Sequence, residues 1–240
     1  MRNLKRALSL ALAAIMLIGM MVVSASAAGF DDFSDKDEIV NKDAVSMLVS
    51  LGIIEGKPDG SYGPTENVDR AQMAKMLSVI MNKGVDNSAL YQSVNSGLVD
   101  VNTNWAKGHI NYCYTTGIIA GRGNGKFDPS ATVTALEAAK MLLVAVGYDP
   151  AIEGFEGADW AINVSVRADE QGIFEGFTKD LSAPLNRDDA ALLIYNALDV
   201  EMIQSYTTNN YPIVYSDHRT ILSDKYGVIK VEGVVTANEW

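Results

Sequence analysis

Two arginines stand where a guanidinium could hold an anion. Arg70 follows Asp69 and Arg187 follows Asn186. Both preceding residues read as helix caps, which places each arginine in a first helical turn. That end of a helix offers N–H groups and a positive dipole end, and arginine adds a planar fork of donors matched to a carboxylate. A cation there opposes the dipole and is mildly costly unless an anion lies near. The plain alternative is a solvated arginine, or one facing a structural Asp or Glu from a neighbouring segment.

Other chemistry is sparse. The chain has one cysteine, Cys113, and two histidines, His109 and His218, far apart and without ligand spacing. Cysteine and histidine metal sites are therefore not expected, nor is a disulfide framework. Cys113 lies between Ile110 and Tyr114 on the apolar side of a predicted helix, where it reads as a small buried hydrophobe. Asp188 and Asp189 at a helix start face different directions and suit capping better than catalysis. The run Gly121–Gly125 lacks the preceding strand and the Lys-Ser/Thr of a phosphate loop. Asp59-Gly60 with Glu66 mimics the second half of a calcium loop, but Lys57 occupies a ligand position and a Gly-Pro lies inside, so calcium is not expected there. With no nucleophile–base pair and no metal set, the expectation is a protein that is no enzyme and needs no cofactor.

The elements that must position the arginines recur. Leu51-Gly52-Ile53-Ile54-Glu55-Gly56, Thr116-Gly117-Ile118-Ile119-Ala120-Gly121 and Gln171-Gly172-Ile173-Phe174-Glu175-Gly176 each end one apolar helix. A turn follows, and then a cap opens a second helix: Asp69 with Gln72, Thr134 with Glu137, and Asn186. The first helices carry Ile39, Val40, Ala44, Val45 and Leu48, then Trp105, Ile110, Cys113 and Tyr114, then Trp160, Ala161, Val164 and Ala168. One short unit cannot bury its own apolar face, so the copies must pack together, and the grooves between them become candidate sites.

The chain has 240 residues, 48% of them hydrophobic, and a formal net charge of −11. Such a balance argues against nucleic acid as a partner. Arg2, Lys5 and Arg6, the apolar run Leu8–Val23 and the Ala25-Ser26-Ala27 site read as a secretory signal peptide over residues 1–27. Its removal takes −11 to −14 and leaves no later stretch apolar enough for a membrane span. The expected divisions are then a first repeat over 28–84, a linker over 85–97, a second repeat over 98–150 and a third over 151–200. Residues 201–240 read as the start of a β-rich region of a longer protein, with β-formers over Tyr211–Tyr215 and Tyr226–Val235.

The second copy shows Val99-Asp100-Val101, Trp105-Ala106, Gly117 to Gly121, Gly125-Lys126-Phe127-Asp128-Pro129 and Thr134-Ala135-Leu136-Glu137. The first shows Phe33-Ser34-Asp35, Asp59 to Pro64 and Asp69-Arg70-Ala71-Gln72; the third shows Trp160-Ala161 and Asn186-Arg187-Asp188-Asp189. In this order the pattern resembles the S-layer homology domain over about Phe33 to Leu198. The resemblance implies a mainly α fold, a pseudo-threefold helical bundle of three repeats, here followed by a short β-rich C-terminal segment. It also implies non-covalent anchoring to the cell wall through secondary cell-wall polysaccharide, often pyruvylated, bound in the grooves. A pyruvyl ketal supplies the carboxylate for Arg70 and Arg187. Gly56, Gly121 and Gly123 would let the backbone approach a sugar, and Trp105 and Trp160, if not simply core, could stack on a pyranose. Asp100 completes the set. Repeat two has Ala135 in the arginine position, so its groove is expected to be silent or to borrow Arg122, leaving one or two working grooves. Two other readings stand beside this one: the front end of a surface polysaccharide hydrolase, and a surface-layer protein whose repeats self-associate.

Overall fold

The computed structural model describes residues 29–229; the expected signal peptide and residues 230–240 lie outside that range. Six helices form three pairs: α1 (Lys42–Ser50) with α2 (Arg70–Met81), α3 (Lys107–Thr115) with α4 (Ala135–Val146), and α5 (Trp160–Glu170) with α6 (Arg187–Leu198). A two-stranded antiparallel ribbon, β1 (Ile203–Tyr206) and β2 (Pro212–Val214), and a short helix α7 (Ile221–Tyr226) follow. The architecture is mainly α.

Each pair is delimited by local chemistry. Gly52, Gly117 and Gly172 adopt φ of 70°, 78° and 70°, the left-handed conformation that ends a helix and that a Cβ would strain. The next residue then folds back: the N–H groups of Ile53, Ile118 and Ile173 reach the carbonyls of Leu48, Cys113 and Ala168. Those isoleucines are buried. The second helices open on reciprocal caps, Asp69 with Gln72 and Thr134 with Glu137, while Asn186 Oδ1 accepts from the N–H of Asp189.

The three pairs close on one axis. The N–H of Val68 donates to Leu185 at 2.8 Å, that of Leu185 to Val133 at 2.8 Å, and that of Val133 to Val68 at 2.9 Å. This three-membered ring uses the residue just before each cap. Around it stand α2, α4 and α6, whose buried Met73, Leu77, Ala138, Leu142, Ala190 and Ile194 build the core. Each first helix lies on the second helix of the preceding pair: α3 on α2, α5 on α4, and α1 on α6. Asp188 fixes that last contact, accepting from the backbone N–H (3.1 Å) and Nδ2 (3.1 Å) of Asn41.

Three expectations need correction. Val40 is 81% exposed, because α1 begins only at Lys42 and residue 40 precedes its apolar stripe. Trp105 is 58% exposed and is not a core residue. Tyr226 ends a helix rather than opening a strand: Thr220 and Ser223 cap α7, and Gly227 at φ 65° stops it. Residues 230–235 of that expected strand fall outside the described range.

Candidate functional site: grooves between the repeats

Each helix-start arginine works on a neighbouring repeat. Arg70 donates from Nε to the carbonyl of Phe127 (2.8 Å) and from Nη2 to that of Ala120 (2.8 Å), and lies 4.4 Å over the Phe127 ring. Arg187 does the same one pair round: Nε to Tyr62 (2.8 Å), Nη2 to Glu55 (3.0 Å), and a 4.7 Å stack on Tyr62. Neither forms an ion pair, and Nη1 of each has no protein acceptor among the described residues. Arg70 is buried; desolvation, helped by nearby Arg122, lowers its guanidinium to about 10, so it stays charged at neutral pH.

The first-turn N–H groups, expected to be open, are already used. Those of Arg70 and Ala71 donate to Ala131 and Pro129, and those of Arg187 and Asp188 donate to Glu66 and Pro64. An anion here would therefore meet side chains rather than a bare helix end.

Two grooves result. Groove one gathers Gly56, Tyr62, Gln72 and Lys75 of the first repeat, Trp105 of the second and Arg187 of the third. Groove two gathers Arg70 of the first, Gly121, Arg122, Glu137 and Lys140 of the second, and Trp160 of the third. Groove two is the larger, about 480 Å³ against 210 Å³. Trp160 packs against the core and receives the Lys140 ammonium 5.7 Å above its ring; Trp105 stands free at the rim, edge-on to His109.

The arginine expected to be missing from groove two is missing elsewhere. Because each arginine crosses to the next unit, Ala135 leaves the third groove bare, while groove two holds both Arg70 and Arg122. Around that third position Lys179 stands where Tyr62 and Phe127 stand in the other copies, Leu192 where Lys75 and Lys140 stand, and Val40 where the tryptophans stand. Leu192 leans to within 3.7 Å of where a Cβ on Gly176 would be. The carbonyl of Glu175, equivalent to those that the arginines hold, accepts instead from Asn196 Nδ2 at 2.9 Å.

The other expected site residues serve the scaffold. Asp100 accepts from the N–H groups of Phe127 (2.9 Å) and Asp128 (2.8 Å), as Asp35 does from Tyr62 and Gly63. Burial alone would raise both carboxyls, but these amide bonds outweigh it and hold both below the ordinary value of 3.8. A Cβ on Gly56 would sit 2.5 Å from the Phe33 ring, and one on Gly121 would sit 2.8 Å from the Lys126 carbonyl, so close packing explains both glycines. Gly123 has open space around it and φ of 90°, a turn requirement. Lys75 and Lys140 were not singled out from sequence. Each lies five residues into the helix from the arginine position, and that repeated placement was the available signal.

A family model described as the S-layer homology domain matches residues 32–74 and 99–139. A cell surface protein of Thermoanaerobacter kivui is 32% identical over 209 residues, covering 85% of this chain and 26% of that protein. The middle cell wall protein of Brevibacillus brevis is 28% identical over 196 residues, covering 81% of this chain and 18% of its own length. An amylopullulanase of Thermoanaerobacterium thermosulfurigenes is 30% identical over 181 residues, 70% of this chain but 9% of the enzyme. The chain thus spans about a quarter or less of these relatives. The third helix pair lies outside the matched ranges and joins the other two through the same hydrogen-bonded ring. By its matched repeats and by its relatives, the chain belongs to the S-layer homology family of cell-wall and cell-surface proteins.

Proposed function

We propose that this module holds a surface protein on the cell wall, without a covalent link, by binding an acidic secondary cell-wall polysaccharide in grooves one and two. A pyruvylated sugar is the ligand that best fits the side chains. One observation carries the reading: each groove sets a guanidinium with no carboxylate partner among the described residues beside an indole face. A buried or half-buried cation gains most from an anion that brings its own oxygen atoms. The bare third groove limits the module to two binding faces. Similarity to a stretch amounting to 9% of an amylopullulanase and to 26% of a cell surface protein supports a portable attachment role separate from catalysis.

Sedimentation with purified cell walls tests this. The mature chain is expected to pellet with native walls and to stay in the supernatant when the polymer has been stripped from them. Equal retention on stripped walls would refute the proposal.

A further inference from the structure

The two grooves present the same kinds of residue but not the same free charges. In groove one, Lys75 is held by Glu55 at 3.0 Å, and Lys57 pairs with Glu66. Among the described residues, only Arg187 remains without a carboxylate contact there. In groove two, Arg122 pairs with Glu137 at 2.8 Å, but Arg70 and Lys140 both lack a carboxylate partner among the described residues. Lys140 spends a single donor, on the carbonyl of Phe155. Groove one is lined by three cations and Glu55, groove two by three cations with Glu137 and Glu156, so groove two is the less positive of the two; what favours it is that fewer of its cations are already engaged.

A carboxylate has two oxygens and is held best by two donors converging from different sides. From this we infer that groove two is the one that reads the carboxylate of the ligand, with Lys140 as the residue that determines this specificity, while Glu55 keeps Lys75 from doing the same in groove one. The inference rests on the glycan reading above. Lys140 is suited to the role on three counts. Its ammonium is anchored over the Trp160 face, so a sugar stacked at the rim would place a substituent beside it. It shares the groove with Arg70. Burial also lowers its pKa, the cost that an incoming anion relieves. Groove one offers the exposed Trp105 face with a single unpaired cation, which suits an uncharged sugar of the same polymer.

Calorimetric titration of the mature chain separates the possibilities. The probes are a hexosamine bearing a pyruvyl ketal and the same hexosamine without it. The wild type is expected to show one tight and one weak site for the first probe, and two weak sites for the second. Lys140→Met keeps the apolar stem and is expected to cost about tenfold in affinity for the ketal probe, leaving the plain probe unchanged. Lys75→Met is expected to leave the preference intact. Glu55→Gln frees Lys75 and is expected to strengthen the weak ketal site by about threefold, the modest scale of an exposed ion pair. Thermal melts of all three variants confirm that they fold. Two equal ketal sites in the wild type, or equal loss in both lysine variants, would overturn the assignment while leaving the glycan reading in place. Binding of neither probe, combined with release of the protein from native walls, would overturn both.

Discussion

Arg187 reaches back 125 residues to donate its Nε–H to the carbonyl of Tyr62, and its guanidinium covers the ring of the same residue. Tyr62 returns the contact, its hydroxyl donating to the carbonyl of Arg187 at 2.9 Å. The arginine is therefore both a groove residue and a clasp between the third repeat and the first. Removing it, or Arg70, acts on stability before it acts on binding.

Arg70→Ala leaves the carbonyls of Phe127 and Ala120 without their donor in a buried setting. The expected cost is about 2–4 kcal/mol, from two charge-assisted bonds at about 1–3 kcal/mol each with partial relaxation. Arg187→Ala, at a more open position, is expected to cost less. Urea denaturation gives both values. A double alanine variant that melts like the wild type would refute this role and restore the simpler picture of arginines serving only a ligand.

Val133→Pro removes one donor of the central ring and orphans the Val68 carbonyl. A loss of about 1–3 kcal/mol is expected, together with a broader unfolding transition. Circular dichroism and intrinsic fluorescence melts that coincide in the wild type are expected to separate in the variant. Unchanged, coincident melts would show that the ring is dispensable.

Asp35 and Asp100 make stability depend on acid. Their folded-state pKa values are depressed by amide bonds, so between the folded and the unfolded values the unfolded chain binds more protons. Their contribution is complete above the ordinary 3.8 and disappears as pH falls through the lower folded values. Asp100→Asn is expected to cost about 1–2 kcal/mol at neutral pH, because one of the two amides then faces an –NH₂ group. Its urea midpoint is also expected to fall less steeply below pH about 4 than that of the wild type. Identical acid slopes would contradict the clamp.

Ala135→Arg does not rebuild the third groove. Lys179, itself paired with Asp189, replaces the aromatic platform and Asn196 already fills the carbonyl at Glu175, so the new guanidinium finds no ring to cover and an occupied acceptor. The single variant is expected to be less stable than the wild type by about 1 kcal/mol and to add no binding site. A third calorimetric site in this variant would disprove the account of why that groove is bare.

Cys113 is wholly buried, and burial raises its thiol well above the ordinary 9.0. Its Sγ points at the carbonyl of Ala74. It is expected to react with a disulfide reagent only at the rate of global unfolding; fast labelling of the native protein would show an open path to it.

The helix pairs were legible because caps and closing glycines act locally. Asp69-x-x-Gln72 and Thr134-x-x-Glu137 announce helix starts, and Gly52, Gly117 and Gly172 announce ends, without reference to anything distant. The helix-start position of Arg70 and Arg187 is legible for the same reason, and both side chains line grooves between repeats. The groove that each one serves was not legible. A guanidinium spans several ångströms, and its target is set by how neighbouring copies rotate about the axis, which no spacing within one copy encodes. Val40 and Trp105 were misplaced because they precede their helices by two residues, so a helical period counted through them assigns a face that they do not have. Thr220 and Ser223 carried a capping signal that the surrounding β-formers obscured.

The contact of α1 with α6 has a consequence for how the chain reaches this shape. The Asn41–Asp188 pair joins residues 147 apart, so the first helix emerges long before the surface it will lie on exists. Closure must be a late step, and a product cut off ahead of α6 would keep one apolar flank of α1 wet. Rapid formation of the local turns followed by a slower final docking is the kinetic order that such long-range architecture imposes.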